Sequence, residues 1–142
     1  MTGVRGAPNA RQYVEEEALV PSTGDPVTDI AAGVEFFMSF SMANPARHQL
    51  LFQRTIPGFV PSVESFAIAV EGLDAARRRL RAHGITDDAA IDMLTAIGTG
   101  LTTQQISNDP GGERWLRLGR QAAEMFYAHQ VRLHPHLAKG AP

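Results

Sequence analysis

Between Thr86 and Val131 the apolar positions fall into two helical patterns separated by a break. In the first, Ala90, Leu94, Ile97, Leu101 and Gln105 recur at the three-and-four spacing that lines one helix face, with Ile91, Gly98 and Thr102 beside them. In the second, Trp115, Leu118, Gly119, Ala122, Ala123, Phe126 and His129 share a face, while Glu113, Arg117, Arg120 and Glu124 lie largely off it. The intervening Asn108-Asp109-Pro110-Gly111-Gly112 stops the first helix, because a residue before proline avoids the helical region and paired glycines favour turns. The pattern predicts an antiparallel helix hairpin over 86–107 and 112–131. Gly98, Gly100 and Gly119 each cost about 1 kcal/mol against alanine inside a helix, so close helix approach is the expected compensation. The helices approached belong either to the same chain or to a second copy across a two-fold axis, and the pattern leaves both open.

Upstream, Asp25-Pro26 is a helix start with a mechanism: the aspartate caps orphan amides and the proline omits one. The helix it opens runs to about Met42. Val27, Ile30, Ala31, Val34, Phe37, Met38 and Ser41 form one face, and Phe36 and Phe40 widen it until the second half is apolar nearly all round, as in a helix buried on more than one side. Asn44-Pro45 repeats the start signal for a short helix reaching Gln53, and the apolar but proline-broken stretch from Thr55 to Pro61 is predicted to be a packed loop. Ser62 then caps a helix carrying Phe66, Ala69, Val70, Leu73 and Leu80 on one face, ending in an arginine cluster before Gly84. Those arginines suit the negative end of the helix dipole. No strand-like alternation of useful length occurs, so the expected fold is all-α: a flexible segment over 1–24 with a short helix at Asn9 to Leu19, a helical-bundle domain over 25–131, and a tail over 132–142 that frays.

Composition narrows the function. With 142 residues the chain suits one domain with a real core. Its formal net charge of −2 lacks the basic excess of a free-standing nucleic-acid-binding domain. Without cysteine, disulfides, thiolate catalysis and cysteine-ligated zinc are excluded. The first residues lack a signal-peptide core and no apolar run is long enough to span a bilayer, so a cytoplasmic protein without membrane contact is expected. None of the GxSxG, phosphate-loop, HExxH or GxGxxG motifs occurs, and the expectation is a protein that is not an enzyme and carries no cofactor or metal. His134 and His136, with His129, sit at the end predicted to fray and make a weak metal set. Arg47 and His48 suit a polar ligand group and a solvated surface equally.

The succession from Asp25 through ANPARHQLLFQRTIPGF, a long arginine-ended helix, and then DMLTAIGTGLTTQQISNDPGGERWLRLGRQAAEMF resembles the C-terminal domain of TetR-type transcriptional regulators over about residues 25–130. The match rests on order and spacing. The resemblance implies a domain that binds a small, often apolar effector and forms a homodimer through its last two long helices. It places Leu94, Ile97, Gly98, Leu101, Trp115, Gly119, Ala122 and Phe126 at the two-fold interface. In that family a three-helix DNA-binding unit precedes this domain. Only 24 residues precede Asp25 here, too few for three helices. The chain is therefore expected to sense a ligand and to pair, without binding DNA directly, or to act as a headless partner of a full-length regulator.

Six phenylalanines crowd the first half of the chain, and the cavity is expected among the helix at 25–42, the loop at 56–60, the helix at 62–83 and the first hairpin arm. Phe37, Phe40, Met42, Phe59 and Phe66 would shape it, and Gln53, Arg54, Thr102 or Gln105 would orient the ligand. Clustered phenylalanines also fill ordinary cores. A small helical enzyme or scavenger using the same cavity is the rival reading, weakened because the pocket segments offer few titratable groups. The DNA expectation is checked by gel shift: this chain should retain no duplex specifically, and salt-sensitive retention at micromolar concentration or tighter would refute it.

Overall fold

The computed structural model describes residues 10–48 and 63–139. Among them there is no strand. The elements are α1 (Ala10–Glu17), α2 (Pro26–Met42), α3 (Pro45–His48), α4 (Val63–Ala82), α5 (Asp88–Asn108) and α6 (Gly119–Leu133), with 3-10 turns at Leu116–Leu118 and Pro135–Lys139. The Asp25 carboxylate accepts from the Thr28 amide at 2.9 Å and Pro26 takes the first helical position, so α2 starts where its capping chemistry dictates. Asp87 caps α5 in the same way through the Ala89 amide. At the end of α4, Gly84 adopts φ +79°, the Ile85 amide returns to the Leu80 carbonyl and the Gly84 amide to that of Arg81. That hydrogen-bond pair, with Leu80 and Ile85 buried together, is a glycine C-cap of the Schellman type.

Helix α2 is the axis of the bundle. It is in contact with α1, α3, α4, α5 and α6. Ile30, Ala31, Val34 and Met38 meet Leu80, Ile85, Ala90, Ile91, Leu94, Ala123 and Phe126 in the main core. On another side of α2, Phe40 joins Tyr13, Ile68 and Ala75 in a second cluster. Tyr13 stands edge-on to Phe36 and Phe40 at centroid distances of 5.0 and 4.8 Å. The segment expected to be flexible therefore contributes a core residue, and α1 is held against α2 and α4.

Three further features differ from the sequence expectation. The second hairpin arm becomes α-helical at Gly119 rather than at Gly112, because Gln105, fully buried, captures the chain before it: its Oε1 accepts from the amides of Trp115 and Leu116 at 2.8 and 3.0 Å. α6 then packs chiefly along α2, with Gly119 over Val34 and Glu35, and only secondarily on α5. In the tail, Pro135–Lys139 form a 3-10 turn, in which Leu137 packs against the main core and comes close to Gly84.

Asp29 is the one carboxylate buried in α2, 1% exposed. It accepts from the Thr23 amide at 2.7 Å, the Thr23 hydroxyl at 2.8 Å, the Gly24 amide at 3.1 Å and His83 Nε2 at 2.9 Å. Burial alone would raise its pKa, but these bonds together outweigh that and lower it. The group thus ties the segment before α2 to the end of α4. Asp29→Ala leaves those donors without their acceptor and should cost about 3 kcal/mol in urea unfolding. Because the folded pKa is depressed, the stabilisation is full above the ordinary aspartate value of about 3.9 and is lost as pH falls through the folded value. The variant and the unmutated chain should therefore converge only in acid.

Candidate functional site

Helices α1, α2, α4 and α5 enclose a partly open cavity of about 70 Å³. Ile30, Val34 and Phe37 of α2, Leu73 and Ala76 of α4, and Leu94 of α5 line it. Three more lining positions are glycines, one on each of these helices: Gly33, Gly72 and Gly98. A Cβ on Gly98 would meet Phe37 at 3.5 Å, and one on Gly72 would meet the Tyr13 hydroxyl at 3.6 Å and Phe37 at 3.8 Å, all ordinary contacts. Alanine would therefore fit at both and favour the helix. The space is left open by residue choice, not by steric necessity. Gly33 is different: its Cβ would lie 2.8 Å from Arg79 Cδ, so glycine here lets the arginine lie across the rim.

Polar groups gather in one corner, where α1 meets α4. Arg79 donates Nε and Nη2 to Glu17 Oε1 at 2.9 and 2.8 Å, and both side chains are largely buried. Arg78 stands 3.9 Å from the other Glu17 oxygen, mostly in solvent. One turn earlier on α1, Tyr13 is 3% exposed. Burial pushes its hydroxyl pKa well up, and the nearby Glu17 carboxylate adds to this against the opposing arginines, so the phenol stays neutral. Thr95 also lines the cavity, but its hydroxyl is engaged with the Ile91 carbonyl at 2.8 Å. No group of three or more His, Asp or Glu side chains is placed to hold a metal ion among the described residues.

Of the residues expected to form a ligand site, Phe37 lines this cavity. Phe40 instead packs in the Tyr13 cluster, and Met42 packs against the main core. Phe66 is 51% exposed. Thr102 is buried with its hydroxyl on the Gly98 carbonyl, and Gln105 is consumed by the turn before α6. Gln53, Arg54, Phe59, the Ser62 cap and the loop at 55–61 lie outside the described residues.

Of the residues expected at the two-fold interface, most are already covered within one chain. Leu94, Gly98, Gly119 and Phe126 are buried within the single chain, and Ile97, Leu101 and Trp115 pack against its core. Ala122 is half-buried. The amphipathic faces are real, but α2 covers most of what they offer.

Tyr13, Gly33 and Gly72 carry no pattern of their own, and Glu17 and Arg79 stand out only as members of an acidic run and of the arginine cluster. The available signal was the i, i+4 spacing of Tyr13 and Glu17 in a short acidic helix, which puts an aromatic ring and a carboxylate on one face. Comparison of the chain with protein-family models, with curated proteins and with solved structures finds no match.

Behind Phe37 lies His48, 2% exposed, its ring in an edge-to-face arrangement with the phenylalanine and Nε2 3.3 Å from Thr103 Oγ1. Burial lowers its pKa to about 4. A histidine held below its ordinary value of about 6.5 opposes folding once the unfolded chain begins to take up the proton. Stability should therefore fall by up to about 3 kcal/mol as pH drops from 6.5 towards 4. His48→Gln should flatten this part of the profile, measured by chemical unfolding at each pH; an unchanged slope would place the acid sensitivity elsewhere.

Proposed function

We propose that this chain is the ligand-sensing and pairing domain of a TetR-like transcriptional regulator, taking a small ligand with an apolar body into the cavity between α1, α2, α4 and α5. The observation that carries the reading is the glycine on each of two facing helices, Gly72 and Gly98, where alanine would fit and stabilise the helix yet would narrow the cavity. A ligand there touches α1 and α5 at once. Any difference in its affinity for two arrangements of these helices would shift the balance between them, which is the physical content of effector sensing. Two copies would pair over the outward stripe of α5, where Met93, Ala96 and Gly100 are exposed and a Cβ on Gly100 would meet nothing. Small residues there permit the close approach of a second helix.

Xenon, observed by NMR of the methyl groups of Ile30, Val34, Leu73 and Leu94, tests the cavity with a probe of suitable size. It should perturb these methyls selectively, and Gly72→Ala with Gly98→Ala should weaken the effect while raising stability by about 1 kcal/mol per site. Native mass spectrometry of the same samples should give dimers, and Gly100→Lys monomers. Monomers throughout would remove the pairing half of the proposal, and methyls indifferent to xenon would remove the sensing half.

A further inference from the structure

The cavity has one polar corner, and its chemistry selects among ligands. Everything else that faces the space is apolar or, like Thr95, already engaged. In the corner Arg79 faces Glu17, and Arg78, outside the cavity and mostly in solvent, stands 3.9 Å from the other Glu17 oxygen. Beside them the Tyr13 hydroxyl, on a side chain 97% buried, makes no hydrogen bond among the described residues. Because Tyr13 lines the partly open cavity, a ligand atom or a water there can satisfy this hydroxyl. The corner thus offers donors from Arg79 and Tyr13, and with Arg78 behind it the cluster around Glu17 holds two guanidinium groups to one carboxylate, which suits an anionic acceptor.

Resting on the ligand-binding reading above, we infer that the cavity binds small carboxylic acids as their anions, the apolar body lying among Phe37, Leu73 and Leu94 and the carboxylate replacing Glu17 on Arg79 beside the Tyr13 hydroxyl. Replacement is favoured over addition by the present geometry. Arg79 directs Nε and Nη2 at a single oxygen of Glu17, which leaves the two-oxygen, two-nitrogen fork unformed. Gly33 keeps the Arg79 side chain flat on α2 at the rim, within reach of the interior. The cavity is about half the roughly 150 Å³ that admits benzene in an engineered protein, so a body of about three or four carbons fills it as it stands.

The exchange has a structural consequence. Glu17 is the last residue of α1, and its bonds to Arg79 join α1 to α4. A carboxylate that takes Arg79 releases that latch. The ligand's arrival is thereby converted into greater freedom of the N-terminal helix.

The test compares butanoate and pentanoate with the matched alcohols and alkylammonium ions at constant ionic strength, by calorimetry and thermal shift. The carboxylates should bind at least tenfold more tightly than the alcohols, and the ammonium ions should not bind. Glu17→Gln removes the internal competitor and should tighten carboxylate binding several-fold. Arg79→Gln should weaken it tenfold or more while xenon still enters; if that variant does not fold, Glu17→Gln decides alone. Bound carboxylate should also speed amide exchange in residues 13–17 of the unmutated chain. Alcohols binding as well as acids, or Glu17→Gln weakening or leaving unchanged the binding of acids, would overturn the head-group inference while xenon uptake kept the cavity reading intact. Failure of every probe including xenon would overturn both.

Discussion

Five helices contact α2, and this leaves it almost no side of its own to give to water. Such a helix must be apolar around most of its circumference, and the run from Ile30 to Phe40 is. It must also admit its neighbours at different distances. Large residues, Met38 and Phe40, fill the cores on two of its sides, and Gly33 yields where Arg79 crosses. The main core, the aromatic cluster around Tyr13 and the cavity are three sides of this one helix.

A buried helix has to be anchored at its ends, where backbone groups are unsatisfied. Here the anchoring reaches outward. Asp25 closes the first turn locally, and Asp29, one turn on, collects donors from the preceding segment and from His83. The segment that brings α1 onto α4 is thereby fixed to α2 at one end, while Glu17 and Arg79 fix α1 at the other. Removing either anchor loosens the same wall of the cavity.

The all-α class and most helix limits were legible because they follow from local chemistry: the Asp25-Pro26 start, the arginine-ended α4 with Gly84 after it, and the NDPGG break. Gly111 there does take φ +80°, and a Cβ on Gly112 would collide with the Asp109 carboxylate. What periodicity could not tell was which partner covers a given face. The stripe through Leu94 and the stripe through Phe126 read equally well as a seam between two chains, and the choice fell to α2, remote in sequence. Gln105 was misassigned for a related reason, since its partners are the amides of Trp115 and Leu116, about ten residues away in a segment with its own helical pattern. Tyr13 was missed because a lone aromatic in an acidic helix has no periodicity to reveal burial. A cavity is expected from the crowding of phenylalanines, of which Phe37 lines the space, whereas Gly98 reads as a site of close helix approach and Gly33 and Gly72 carry no signal. The cavity's polar corner depends on a contact spanning 62 residues that no spacing encodes.

The glycines that hold the cavity open also leave the helices around it less than fully packed. A void of about 70 Å³ per molecule corresponds to about 40 mL per mole, a sizeable share of the volume change on unfolding typical of globular domains. Hydrostatic pressure therefore acts on this fold through the same space that a ligand would occupy. A filled cavity is a smaller molecule to compress, so occupancy and resistance to pressure are two expressions of one packing defect.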